Sequence, residues 1–317
     1  MSGASCPGAS SEGLPIPPFC GSMALNRGPN MPQGGCRFMR LRLILLALVC
    51  AVSLMVFAGS AAAIIGGTPD TTHTYVGLEH NGVFVCSGTL IGPRVLVTAA
   101  HCFSDTTSIF GTDGHGHPRV AVTFDQQGLL TQPAPTQYLG TYYFDPGFGF
   151  GVNGGGLPGF DTHDVAIIVL DVSLPSLGHA NLPAIGLDAS LATGTKLDIS
   201  GYGVQHFGKP DPCDPNCKKQ PDAFFTRFGA TSNLLSVGKG KLDEFVKISG
   251  NVSKGKGGQC FGDSGGPIFL GGTRTLIAET SFGTNGNCSG VGYDFRLDTA
   301  EAQSFIFSTL ASLGLTL

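Results

Sequence analysis

Three stretches of the chain carry side chains able to do chemistry together. Thr98-Ala99-Ala100-His101-Cys102 ends an apolar run. His163-Asp164 opens the run Val165–Leu170. Gly262-Asp263-Ser264-Gly265-Gly266-Pro267 sets a serine among glycines. A serine hydroxyl is a poor nucleophile at neutral pH and needs a base within hydrogen-bond reach. Histidine titrates close to neutral pH and supplies that base. A buried carboxylate fixes the imidazole tautomer and stabilises the imidazolium. Glycines beside the serine let backbone N–H groups approach an oxyanion closely. The order His, Asp, Ser along a chain is one of three that unrelated acyl-transfer enzymes use. Asp161 competes for the carboxylate role, and the apolar run after Asp164 favours Asp164. Each motif alone is weak, since a serine in a glycine-rich turn is usually only a turn. The joint occurrence carries the information.

These residues need a scaffold, and the composition indicates which kind. Glycine is 49 of 317 residues and charged residues are 13%. Helices favour Glu, Lys and Arg and disfavour Gly, so a long-helix protein is excluded. The glycines show no triplet period, which excludes collagen. A net charge of −4 offers no basic field for nucleic acid. Short β-rich runs are expected at Thr74–Leu78, Val83–Ser87, Arg94–Ala99, Val120–Phe124, Val165–Leu170, Lys196–Ser200, Glu244–Ile248, Pro267–Leu270 and Leu276–Thr280. Asn81-Gly82, Gly92-Pro93, Gly271-Gly272 and Asn285-Gly286 mark turns between them. One helix is expected over Asp298–Leu313, with Ala302, Phe305, Ile306, Leu310 and Leu313 on one face and Asp298 or Thr299 as its cap. Many short strands and a C-terminal helix predict an all-β protein, a Greek-key sandwich or barrel. Tyr142–His163 and Gln205–Asp222 read as long loops.

The N-terminus divides the chain. Residues 1–38 are rich in Gly, Pro and Ser, and are expected to be an unstructured extension or an over-extended start. From Met39, a basic start, an apolar run from Leu43 to Ala58 and small residues through Ala63 read as a secretory signal peptide over 39–63. The run is short for a membrane span. Cleavage after Ala63 leaves Ile64–Leu317 as one domain of net charge −7 with six cysteines. An even count in an exported, oxidised protein predicts three disulfides. The expected location is extracellular or periplasmic, with no membrane partner after cleavage, no nucleic acid and a monomeric state.

The mature chain resembles the chymotrypsin/trypsin-like serine proteases, and looks most like their secreted bacterial members. GDSGGP and TAAHC carry the likeness. Ile64-Ile65-Gly66-Gly67 matches the family's mature N-terminus, Ile199-Ser200-Gly201-Tyr202-Gly203 its ISGWG strand with Tyr for Trp, and Ser281-Phe282-Gly283 its SWG segment. The resemblance implies two six-stranded β-barrels with the site between them, and a serine endopeptidase acting on polypeptides. It implies His101 as base, Asp164 as orienting carboxylate, Ser264 as nucleophile, and the N–H groups of Gly262 and Ser264 as the oxyanion hole. It implies an ion pair between the α-ammonium of Ile64 and Asp263, so that signal cleavage alone would activate the enzyme. Ser281, Phe282 and Gly283 would hold the substrate backbone. Cys86–Cys102 and Cys260–Cys288 would be disulfides.

Cys213 and Cys217 have no family counterpart. Their spacing suggests a small local disulfide rather than zinc, which wants four ligands. Gly258 and Gln259 lie where the family builds the base of its primary specificity pocket. The absence of Asp at Gly258 points to an uncharged P1 residue, because a buried cation without a partner is costly. Asp294 would reverse this if it pointed into the pocket, since Gly290–Arg296 aligns in more than one register. His115-Gly116-His117 reads as solvated, and Phe110–Asp125 lacks a convincing calcium cluster. No cofactor and no metal are expected. A non-catalytic binding protein on the same fold and an esterase are the competing readings.

Overall fold

The computed structural model describes residues 64–317 except 105–106, 131, 150–162, 211–218, 223–224 and 252–255. The expected extension and signal peptide, and the Cys213–Cys217 pair, lie outside the described residues.

The first seven strands are β1 (Thr68–Pro69), β2 (Val76–His80), β3 (Val85–Gly92), β4 (Val95–Thr98), β5 (Arg119–Thr123), β6 (Tyr138–Phe144) and β7 (Ala166–Leu170). Then follow β8 (Lys196–Gly201), β9 (His206–Pro210), β10 (Lys219–Asp222), β11 (Phe228–Val237), β12 (Phe245–Gly250), β13 (Pro267–Leu270), β14 (Leu276–Gly283) and β15 (Gly290–Arg296). Strands β2-β3-β4-β7-β6-β5 close into a six-stranded antiparallel barrel. Strands β8, β11, β12, β15, β14 and β13 form the second, closed by the β11–β8 pairing, with β1 added on β11. Closure leaves no open sheet edge in either ring. The fold is the double barrel that the resemblance implies.

Ile64, Leu197, Ile199, Leu234, Val246, Ile248, Ile268 and Ile277 fill the second barrel. Helix α1 (Ala300–Ser312) closes the chain, with Ala302, Phe305, Ile306 and Leu310 buried against the larger core. Its cap is Thr299, whose hydroxyl accepts from the Ala302 N–H at 3.1 Å. Asp298 lies outside the helix, where its carboxylate takes the Arg296 guanidinium at 2.8 Å and the Asp188 N–H at 2.7 Å. Leu313 is the C-cap and is exposed, so it does not share the buried face.

Two expected loops are shorter than read. Strand β6 runs to Phe144, so the glycine-rich segment begins at Asp145. Residues 205–222 contain the antiparallel β9–β10 pair. Both strands of that pair carry Pro and Lys, residues that strand propensity disfavours. Their mutual hydrogen bonding overrides the local preference.

One buried cation ties the barrels together. Arg227, 2% exposed, donates to the carbonyls of Asp70, Val76 and Phe124 and to the Tyr202 hydroxyl, at 2.9–3.1 Å. A guanidinium has five N–H donors in a fixed fork, so it can satisfy several separate acceptors at once. Arg227→Met should therefore destabilise the protein by about 2–4 kcal/mol, because several buried acceptors lose their donor. Urea denaturation of the variant checks this, and an unchanged midpoint would contradict it.

Candidate active site

Pairing of β4 with β7 sets the first part of the site. Thr98 stands opposite Ala166, so the residues just beyond β4 and just before β7 meet at one end of the first barrel. His101 lies there in a single 3₁₀ turn, Ala100–Cys102, and Asp164 lies two residues before β7. Asp164 is 2% exposed. It accepts the His101 backbone N–H at 2.9 Å on Oδ1 and approaches His101 Nδ1 at 2.9 Å with Oδ2. The Tyr142 hydroxyl lies 2.8 and 2.7 Å from the Ala99 and Ala100 carbonyls and fixes the turn from below.

The second barrel supplies the rest. A bulge in β14 between Thr280 and Phe282 re-aims Ser281, whose hydroxyl donates to Asp164 Oδ2. Burial alone would raise the Asp164 carboxyl. The imidazole of His101 and the hydrogen bonds from His101 and Ser281 outweigh it and hold Asp164 below the usual carboxylate range. It stays ionised at neutral pH.

Ser264 sits in the turn before β13. The Ser87 N–H donates to the Ser264 carbonyl at 2.8 Å, and the Ser87 hydroxyl to the Gly262 carbonyl at 2.9 Å. Ser87 Oγ in turn accepts the Tyr202 N–H at 3.0 Å. Gly265, at φ +75°, packs so tightly that a Cβ would fall 2.1 Å from Thr98 Oγ1. Only glycine fits there, which is what the motif requires beside its serine. Gly262 also needs a positive φ, +93°. Among the described residues, the N–H groups of Gly262 and Ser264 donate to no protein acceptor.

Disulfides brace both sides. Cys86–Cys102 ties the His101 turn to β3, and Cys260–Cys288 ties the Ser264 loop to the turn before β15. The two sulfurs nearest the buried Glu79 belong to the first of these bridges, so that trio holds no metal.

His101, Asp164, Ser264, Gly258, Gln259, Ser281, Phe282 and Gly283 line one cleft of about 620 Å³. Phe148, at the described start of the glycine-rich segment, lines it too. Asp294 does not. It is fully buried and accepts the Gln259 Nε2–H at 2.5 Å, so the register left open by the sequence places its carboxyl behind Gln259.

Ile64 is 1% exposed, and Ile65 exchanges two backbone hydrogen bonds of 2.9 Å with Gly258 beside the cleft. Asp263 is fully buried and accepts N–H groups from Gly203 and Cys260 at 2.8 Å. No cation lies within ion-pair distance of it among the described residues. Burial pushes its carboxyl up to about 7 against those two hydrogen bonds.

Sequence reasoning missed Ser87 and two buried acids. Glu79 accepts the Thr98 hydroxyl, and Glu279 lies two residues before Ser281. Burial raises both well above the ordinary value, and the charge of Asp164 raises Glu279 further. Burial thus works against the charged form of both. The signal was present as acids inside β-rich apolar runs, at Leu78-Glu79 and Ala278-Glu279.

Comparisons with known proteins agree with this geometry. The family model Trypsin matches residues 64–306. Trypsin alpha of Drosophila melanogaster is 24% identical over 291 residues, covering 87% of this chain and all of the relative. Serine protease 57 of Mus musculus is 26% identical over 240 residues, covering 72% and 75%. Among solved structures, neuropsin, a serine protease expressed in mouse brain, superposes with a TM-score of 0.56 at 22% identity, covering 78% of this chain and 99% of its own. HL collagenase does so with a TM-score of 0.55 at 17% identity, covering 80% and 100%. These superpositions bear on the fold. The named relatives are insect and mammalian, and the expected likeness to bacterial members draws no support from them. With the family model spanning most of its length, the chain belongs to the trypsin family and is a serine-type endopeptidase.

Proposed function

We propose that His101, Asp164 and Ser264 are the catalytic triad of a secreted endopeptidase that prefers an uncharged P1 residue. The observation that carries this is the Asp164 carboxylate, which holds His101 by two hydrogen bonds in the cleft that Ser264 lines. With Nδ1–H bound to Asp164, the tautomer puts the basic lone pair on Nε2, where it can accept a proton.

A polypeptide substrate lies along Ser281–Gly283. The Ser264 oxygen attacks the scissile carbonyl carbon, and its proton passes to His101 Nε2. The carbonyl oxygen becomes an oxyanion and takes the N–H groups of Gly262 and Ser264. The C–N bond then breaks, and His101 returns the proton to the leaving amine. A water then attacks the acyl-enzyme and gives its proton to His101; the C–Oγ bond breaks, His101 returns the proton to Ser264 Oγ, and the new carboxyl end leaves. Asp164 stays ionised throughout and offsets the charge on the imidazolium. The base of the pocket offers no exposed acid, since Gly258 has no side chain, and this supports the uncharged P1.

The N-terminal arm fits the same reading. On this reading Ile64 is the mature N-terminus, freed by cleavage after Ala63. Its ammonium would meet the buried Asp263 carboxyl and ionise it. Such a pair is stabilising only when both charges are present.

The direct test is a fluorophosphonate probe on the 64–317 form, read by intact mass. One adduct on the wild type and none on Ser264→Ala are expected, with kcat reduced about 10⁶-fold in the variant. A folded wild type that takes no adduct would overturn the reading.

The arm has its own test. A free α-ammonium titrates at about 7.7–8.0, and pairing with Asp263 raises that value. The paired state is therefore full below this range and lost as pH rises through the raised value. kcat/KM should decline on the alkaline side above about pH 8. A form with one extra residue before Ile64 should lose most activity at every pH. Full activity of the extended form would sink the proposal.

A further inference from the structure

Behind the cleft lies an acid that the reaction does not use. Asp294, in β15, is fully buried, and its Oδ2 has no hydrogen-bond partner in the structure. Its Oδ1 accepts from Gln259 Nε2 at 2.5 Å, and the same amide nitrogen donates to Thr280 Oγ1 at 2.8 Å. Gln259 and Thr280 line the cleft, and Asp294 does not. The Gln259 carboxamide thus forms the inner face of the pocket, with the carboxyl directly behind it.

The neighbouring glycine makes this possible. A Cβ at Gly292 would fall 2.2 Å from Gln259 Oε1, so a side chain at 292 would drive the amide from its seat. Both N–H directions of the amide are spent on Asp294 and Thr280. A cationic P1 side chain reaching this wall would find a neutral amide and no anion. Burial of its charge would go uncompensated. Burial likewise holds the Asp294 carboxyl well above the ordinary value, against its charged form.

We propose that Gln259 determines P1 specificity by screening Asp294, and that Asp294 is a latent acid able to bind Lys or Arg at P1 once the screen is removed. The inference rests on the endopeptidase reading of the Ser264 cleft. It names the side chain that makes the pocket neutral, where the absence of an acid at Gly258 alone does not.

The test uses the 64–317 enzyme, Gln259→Ala, Asp294→Asn and the double variant. Substrates are peptides identical except for Leu, Phe, Lys or Arg at P1. The wild type should favour Leu or Phe. In Gln259→Ala the Lys-to-Leu ratio of kcat/KM should rise about tenfold or more, the size expected when one opposite charge becomes available. The double variant should lose that gain. Asp294→Asn alone should leave the wild-type ratio where it was. Gln259→Ser serves in the same role if Gln259→Ala does not fold. An unmoved ratio in the Gln259 variants would overturn the proposal, as would a wild type that favours Lys through Asp294. Fluorophosphonate labelling of Ser264 is read in parallel. A wild type that fails to label refutes the protease site, whereas labelled enzymes with an unmoved ratio refute only the screen.

Discussion

Asp164 must carry a negative charge in a place with almost no water, and much of the structure follows from that demand. An isolated carboxylate so buried would take up a proton. Asp164 avoids this because three donors converge on it: two from the His101 residue and one from Ser281. The first two come from one barrel and the third from the other. The carboxylate is therefore satisfied only when the barrels are docked in one arrangement. Glu79 and Glu279, also buried, are pushed towards the neutral form by the same desolvation that Asp164 resists, because neither has a matching set of donors. The interior thus favours the charged form of the carboxyl at the site and disfavours it for Glu79 and Glu279.

The second demand is that Ser264 keep its place although its loop belongs to the opposite barrel from His101. Ser87 meets it from β3. Its N–H and hydroxyl take the carbonyls of Ser264 and Gly262, while the N–H groups of those two residues donate to no protein acceptor among the described residues. Ser87 is itself fixed by the neighbouring Cys86–Cys102 bridge, which also holds the His101 turn. One short segment of the first barrel therefore locates both the His101 turn and the Ser264 loop. Arg227 and Tyr202 perform a similar joining role farther from the cleft, through backbone carbonyls of β2 and of the residue after β5.

What could be read from the sequence was what is determined locally. His101, Asp164 and Ser264 stand in motifs whose neighbours have their own reasons to be there, such as Gly265, which has no room for a Cβ. Helix α1 was legible because its apolar stripe and its Thr299 cap are local signals. Strands β6, β11 and β15 were not. Phe228–Val237 mixes Gly, Thr, Ser and Asn with its apolar residues, and Gly290–Arg296 begins with glycines. Each is held between two partners, β8 and β12 for the first, β12 and β14 for the second. Ladder hydrogen bonds on both sides supply what propensity does not. The buried acids were illegible for a related reason. Alternation assigns an acid to the wet face, but β2 is covered on both sides, so Glu79 has no wet face to occupy.

The same reasoning governs the specificity pocket. Reading charge from a residue list treats each Asp as an anion, and then Asp294 would imply a basic P1 residue. A carboxyl is an anion only where water, donors or a cation stabilise it. Asp294 has one amide donor and an oxygen with no partner, and Gln259 stands between it and the cleft. Its charge is a property of what faces it, and so is the chemistry of the pocket. On the proposed reading, Gly258 leaves no acid at the base for a basic P1 residue. Gly292 makes room for the amide that hides the next one. On the proposed reading, two absent side chains and one neutral one set the character of a cleft that has a carboxyl behind its wall.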